Sequence, residues 1–212
     1  MFKMIRFPTL ALVLALSFSA LHARADEYTN IYYSSVDVDL TAGSTTVKAA
    51  DLTGFGVTSS LSLSESTAIV FDYSRLTGNV LTFASTMTGM NVILAYDIFD
   101  DLSYQNGSGS RLRAGIGYGS QKLTTKIGST EYSDTQKGAL IGANFDVAVS
   151  EDVSINASVA GQLKKFDPTF GVGVGYKVGG GKITASYSTK TDKIGAVKVT
   201  ASGFNIGYAF EY

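Results

Sequence analysis

Beyond residue 25, large apolar side chains recur at every second position, and no stretch keeps a helical period. Period two marks a strand whose two faces differ chemically. Ten stretches carry it: 29–40, 53–63, 67–75, 88–98, 111–122, 137–149, 153–163, 170–178, 182–190 and the terminal segment 204–212. In 53–63, Phe55, Val57, Leu61 and Leu63 alternate with Gly54, Gly56, Thr58, Ser60 and Ser62. In 67–75, Ile69, Phe71 and Tyr73 oppose Ala68, Asp72 and Ser74. In 29–40 the apolar set reads as Tyr32, Val36, Val38 and Leu40, against Ser35, Asp37 and Asp39.

Such alternation fits a soluble β-sandwich as well as a barrel in lipid, and two features separate them. Edge strands of a sandwich bring prolines and charges, whereas Pro168 is the one proline beyond residue 25. The polar face is built from Gly, Ser, Asn and Thr rather than Lys and Glu, which suits a confined interior. Transmembrane barrels are apolar outward and polar inward. Closure gives every backbone N–H and C=O a partner within the bilayer. The expected fold is therefore all-β: a closed antiparallel transmembrane β-barrel of ten strands. Merging or splitting near 99–110 and 164–169 would give eight or twelve. Short turns at 64–66, 150–152 and 179–181 alternate with longer connections at 41–52, 76–87, 123–136, 164–169 and 191–200. By the barrel rule the short turns and both termini lie on the periplasmic side.

The first 25 residues follow a different rule. Lys3 and Arg6 precede an apolar run from Phe7 to Leu21, followed by Ala23-Arg24-Ala25. That order predicts a cleaved secretory signal peptide, 1–25, ahead of a single barrel domain, 26–212. The run is too short for a membrane-spanning helix, which needs about 20 residues. The cut removes His22, the one histidine, along with Lys3, Arg6 and Arg24. Residues 26–212 then carry 14 basic against 18 acidic side chains, 17 less the three removed, and no Cys, His or Trp. A net acidic chain without a basic stripe gives no reason to expect nucleic acid as a partner.

The last eight residues, NIGYAFEY, are more specific. The chain resembles the small bacterial outer-membrane β-barrel superfamily, of the OmpA-transmembrane and opacity-protein type. Members end in a signal read by the barrel-assembly machinery. Asn205, Gly207, Phe210 and Tyr212 fill its polar, glycine, apolar or aromatic, and final aromatic places. The segments GFGVTSSLSLSESTAIVFDYSR and RLRAGIGYG also look like hairpins of the family. The resemblance implies a bacterial outer-membrane location. It also implies partners in outer-membrane lipid, lipopolysaccharide and the assembly machinery. Barrel enzymes of similar fold depend on a catalytic His as general base, and residues 26–212 have none. The expectation is no enzyme, no cofactor and no metal site.

Two functional readings remain at this level. One is a porin-like barrel with a narrow polar lumen for small solutes, lined by Asp72, Asn91, Asn144, Asp146 and Asn156. The other is a structural or adhesive surface protein with a filled lumen, meeting lipopolysaccharide or a host surface. The strings GIGYG and GVGVG place their glycines at period two, so they read as small inward residues of strands rather than phosphate loops. Tyr33 reads as the clearest luminal aromatic. Strand parity puts Arg75, Lys122, Lys137, Lys165 and Lys198 on the lipid-facing side near the outer rim. Long cationic side chains there can snorkel to lipopolysaccharide phosphates as a collar.

Overall fold

A computed structural model describes residues 27–101, 108–163, 165–194 and 196–211; the segment read as a signal peptide lies outside them. Ten strands follow one another: β1 Tyr28–Ala42, β2 Thr45–Ser64, β3 Thr67–Val80, β4 Phe83–Asp100, β5 Ser110–Ile127, β6 Thr130–Ala148, β7 Val153–Gln162, β8 Lys165–Val178, β9 Gly181–Ile194 and β10 Val197–Glu211. Each pairs antiparallel with its neighbour in sequence, and β1 pairs with β10 from Tyr28↔Glu211 to Ala42↔Val197. The sheet is a closed barrel, as the alternation predicts.

The connections differ from expectation. The stretches read as loops at 41–52, 76–87, 123–136 and 191–200 belong mostly to the strands, which continue to tight turns at their tips. Gly43 and Gly128 adopt φ of 60° and 62° there, the left-handed backbone that two-residue hairpin turns require. At the β3–β4 tip Leu81 takes that conformation itself, with φ of 56°. Its N–H bonds the Ala49 carbonyl at 2.6 Å. Ala49 is the extra residue of a bulge where the β1–β2 register shifts after Val38. Alternation is weaker in these extensions because they do not face lipid, which is why they read as loops.

Register fixes the barrel's shape. Val38 pairs directly with Ala50 of β2. Followed the other way round, through Ala201, Lys190, Thr169, Ala160, Gly142, Gly115, Ala95 and Ala68, the ladder arrives at Ser62, twelve residues beyond Ala50 (62 less 50). With ordinary strand spacing, that stagger over ten strands gives a tilt of roughly 40° and a backbone radius of about 10 Å. A level ring therefore drifts by about one residue per strand.

The outward face carries a continuous apolar belt. On β4 it runs through Met90, Val92, Leu94, Tyr96 and Ile98, all exposed, spanning about 20 Å of axis. The hydrocarbon-facing band of a transmembrane barrel is about 25 Å tall. Near one edge of the belt, Tyr33, Phe55, Tyr73, Tyr118, Phe170, Tyr187 and Phe204 come to similar height on seven strands, all outward and exposed. Tyr33 and Phe55 meet edge to face at 5.5 Å. Amphipathic rings prefer this headgroup level.

Beyond that aromatic ring the pattern inverts. The strands run on, away from the end where β1 starts and β10 finishes, with apolar side chains inward. Val36, Val38, Leu52, Leu76, Val80, Met87, Val199 and Ala201 form one buried cluster with Leu40 and Leu123 packed on it. Outward at this level stand Asp37, Asp39, Asp51, Thr77, Asn79 and Thr88. Here the barrel is built like a water-soluble one, because both its exterior and its mouth meet water.

This inversion corrects the reading of the first strand. Tyr32, Val36, Val38 and Leu40 face inward, and Ile31 and Tyr33 face lipid. The apolar set changes sides at Ser34-Ser35, so a single parity cannot describe the strand. Tyr33 is accordingly an outward residue of the aromatic ring, not a luminal one.

Burying a charge in that cluster should be costly. Val38→Asp is expected to destabilise the refolded barrel by about 3 kcal/mol or more. Asp37→Ala, one residue away and facing outward, should cost under about 1 kcal/mol. Urea unfolding in detergent, followed by far-UV circular dichroism, measures both; equal effects would refute the inverted packing.

Candidate functional site: the barrel interior

The centre of the lumen is organised by a tyrosine lying over a glycine. Tyr32 of β1 pairs directly with Gly56 of β2. A methyl group at Gly56 would collide with Cζ and Oη of the Tyr32 ring. The missing side chain lets the ring cross β2 and reach β3, where Tyr32 Oη donates to Asp72 Oδ1 at 2.9 Å. Thr58 Oγ1 donates to the same oxygen at 2.8 Å, and Asn91 Nδ2 to Asp72 Oδ2 at 3.3 Å. Four strands thus converge on one buried carboxylate, and hydrogen bonding to its oxygens is what makes its burial tolerable.

A second assembly lies nearer the end where β1 starts. Arg113 of β5 holds Asp97 of β4 with two bonds, Nε to Oδ1 at 2.6 Å and Nη2 to Oδ2 at 2.9 Å. Two residues along the same face, Arg111 Nη2 bonds Asp146 Oδ2 at 3.2 Å, and Asn144 Nδ2 bonds that oxygen at 2.6 Å. Asp100 stands 4.0 Å from Arg111 Nη1. The guanidinium planes suit such paired carboxylate contacts. Arg111 and Arg113 are 0% and 1% exposed and Asp146 3%, so these charges are shut inside the barrel with one another.

All five residues proposed as lumen lining lie inside and are buried: Asp72, Asn91, Asn144, Asp146 and Asn156. Four of the five stand in these two hydrogen-bonded groups. Asn156 of β7 stands directly across from Asp146 of β6 and beside Gly173 of β8. The sequence reading missed Tyr28, Tyr32, Arg111 and Arg113 as residues that fill the lumen. The signal for the arginines was present in Arg111-Leu112-Arg113, which alternates with Leu112 outward. The inward glycines make room for neighbours rather than leaving the interior empty. A Cβ at Gly171 would meet Ser158 Oγ, at Gly173 the Asn156 amide, and at Gly175 the Lys182 stem and Ser154 Oγ.

The proposed collar resolves into separate places. Arg75, Lys122 and Lys137 are exposed on the outward face of β3, β5 and β6. Lys198 is exposed on β10, paired with Thr41 and Lys193. The Lys165 side chain is outside the described residues. On β1 and β2 the outer surface is acidic instead. There Lys48 bridges Asp37 at 2.8 Å and Asp51 at 3.0 Å. Hydrogen bonds to Asp37 first and Asp51 second raise the Lys48 pKa to about 12, so it stays charged in any ordinary medium.

Of the terminal signal, Asn205 is buried and faces inward, Phe210 is exposed outward, and Gly207 pairs with Tyr32, where an added Cβ would collide with the Ile31 carbonyl and Tyr32 Cβ. Phe210 meets Tyr208 edge to face at 4.8 Å. Tyr212 lies outside the described residues.

Closure, the apolar belt and the paired polar interior define the class: a transmembrane β-barrel of the outer-membrane type. No family model matches the chain, and no curated protein matches it. Among solved structures, Neisserial surface protein A is similar over 87% of this chain and 97% of its own, at 13% identity and a TM-score of 0.45. OprG from Pseudomonas aeruginosa is similar over 89% and 97%, at 10% identity and a TM-score of 0.43. The outer membrane protease OmpT from Escherichia coli is similar over 94% and 99%, at 10% identity and a TM-score of 0.49. At such identities the likeness is one of architecture.

The Tyr32–Gly56 contact makes a cycle of variants informative. Gly56→Ala should displace the ring from Asp72 and cost about 1–3 kcal/mol. The same change should cost much less in a Tyr32→Ala background. Additive effects in urea unfolding would mean that the ring does not depend on the glycine.

Proposed function

We propose that the chain is a non-catalytic outer-membrane barrel with a filled lumen, a structural protein of the cell surface rather than an open porin. The observation that carries this reading is the interior itself. Its buried carboxylates and arginines are partnered, Asp72 by Tyr32, Thr58 and Asn91, and Asp97, Arg111, Arg113 and Asp146 in ion pairs, and the apolar cluster of β1–β4 and β10 occupies one mouth. A water-filled pore would leave such side chains hydrated. The strands overrun the apolar belt on the side away from the chain ends. That extension takes the place of the longer outer loops of such barrels, so we place the tips outside and the start of β1 and finish of β10 in the periplasm.

A narrower version of the porin reading keeps one specific support. Ser158 of β7 and Thr184 and Ser186 of β9 are half-buried although they face inward, so residual space lies along that wall.

Planar-bilayer recording of the refolded protein tests the proposal. The expected result is a silent barrel. Discrete conductance steps that change on substituting Asp72→Asn or Asp146→Asn would overturn it and favour the pore.

The assembly signal yields a separate expectation. Deleting Tyr212 should sharply lower the amount of folded barrel in the outer membrane, while refolding of the same variant in detergent stays close to normal. Undiminished assembly in cells would remove the role given to Asn205, Gly207, Phe210 and Tyr212.

A further inference from the structure

The outward face of β3–β6, just beyond the aromatic ring, joins three cations into one patch. Arg75 pairs with Thr88, and Thr88 with Lys122. Lys122 pairs with Thr135 and Ser120 with Lys137, which sets Lys137 on the diagonal from Lys122. Arg75 and Lys122 are two strands apart, about 10 Å, and the Lys122–Lys137 diagonal is about 7–8 Å. Between them the outward positions are hydroxylic: Thr88, Ser120 and Thr135. Among the described residues, none of the three cations forms an ion pair. Directly below, toward the middle of the belt, Tyr73, Met90, Tyr118 and Ile141 present exposed apolar surface.

We infer that this patch is a binding site for a lipid carrying at least two phosphates on a sugar-like headgroup, as in the outer leaflet. Its phosphates would lie on Arg75, Lys122 and Lys137, its sugar hydroxyls on the threonines and serine, and its acyl chains on the apolar wall below. Charge complementarity selects the occupant. A zwitterionic phospholipid offers one phosphate with its own ammonium, whereas three unpaired cations spread over about 10 Å match separated anionic groups. The site is one-sided. On β1 and β2 the corresponding outer surface bears Asp37, Asp39 and Asp51, with a single Lys48 bridging two of them. A symmetric annulus of lipid would not need this polarity. The inference deepens the surface reading above and relies on its orientation.

The test uses the full barrel refolded in detergent, with native mass spectrometry reading bound diphosphoryl lipid A. Monophosphoryl lipid A and phosphatidylcholine serve as comparison lipids. Wild type should prefer the diphosphoryl lipid, and the preference should weaken with added salt. The triple variant Arg75→Gln, Lys122→Gln, Lys137→Gln should lose at least about tenfold in affinity, on the scale of two or three charge-assisted contacts. Lys198→Gln, on the far side, should bind as wild type. Heat-modifiable electrophoretic mobility reports that each variant is folded. A triple variant that binds unchanged, or a Lys198→Gln loss of the same size, overturns the site. Labelling of Ser44→Cys in intact cells reports orientation separately, and bilayer recording reports conductance. Either of those can fail while lipid binding stands.

Discussion

Within a bilayer an unpaired backbone amide costs several kcal/mol, and the pairing of β1 with β10 is what removes the last unpaired edge. The rest follows from it. Closure with a twelve-residue stagger sets the tilt, and tilt with ten strands sets the radius. A radius of about 10 Å leaves an interior that tyrosine and arginine side chains can fill. Tyr32 reaches Asp72 by crossing β2 over Gly56, and Arg113 meets Asp97 on the neighbouring strand.

The interior divides by length of side chain. On β1–β6, large residues bond to neighbouring strands, Tyr32 to Asp72, Arg113 to Asp97 and Arg111 to Asp146. On β7–β9, Gly171, Gly173 and Gly175 stand between short polar residues of β7 and β9, and each glycine is covered by a side chain from an adjacent strand. Buried ion pairs are a weak source of net stability, because desolvation offsets much of the attraction. Their effect here is positional: each arginine ties two or three strands at a defined register. Hydrophobic burial comes from the apolar cluster beyond the belt and from a second cluster of Val70, Ile93, Ala95, Leu140 and Ala160 inside the barrel.

Much of this was legible in the chain. Alternation over ten stretches pointed to the class and favoured ten strands over eight or twelve, and the small polar face announced a confined interior. Asp72, Asn91, Asn144, Asp146 and Asn156 could be picked out because each interrupts an apolar alternation with a group that cannot face lipid. Three things were obscured. The extensions past the aromatic ring obey the opposite hydrophobic rule, so Val36, Val38 and Leu40 were assigned to lipid and their neighbours to loops. Tyr32 and Tyr33 are adjacent and equally aromatic, and only the register across Gly56 tells which is inside. Arg111 and Arg113 lie near a strand end, where sequence alone does not separate a solvated rim from a sealed interior.

The exchange of faces at Ser34-Ser35, repeated on β2, β3, β4 and β10, has a mechanical meaning. It draws a waterline around the molecule. Pushing the barrel deeper would carry Asp37, Asp51 and Arg75 into hydrocarbon. Lifting it would bare Phe55, Tyr73 and Phe204 to water. Both displacements are opposed at once and on several strands, so the depth at which the barrel floats is written into its sequence. It does not have to be held there by any neighbour.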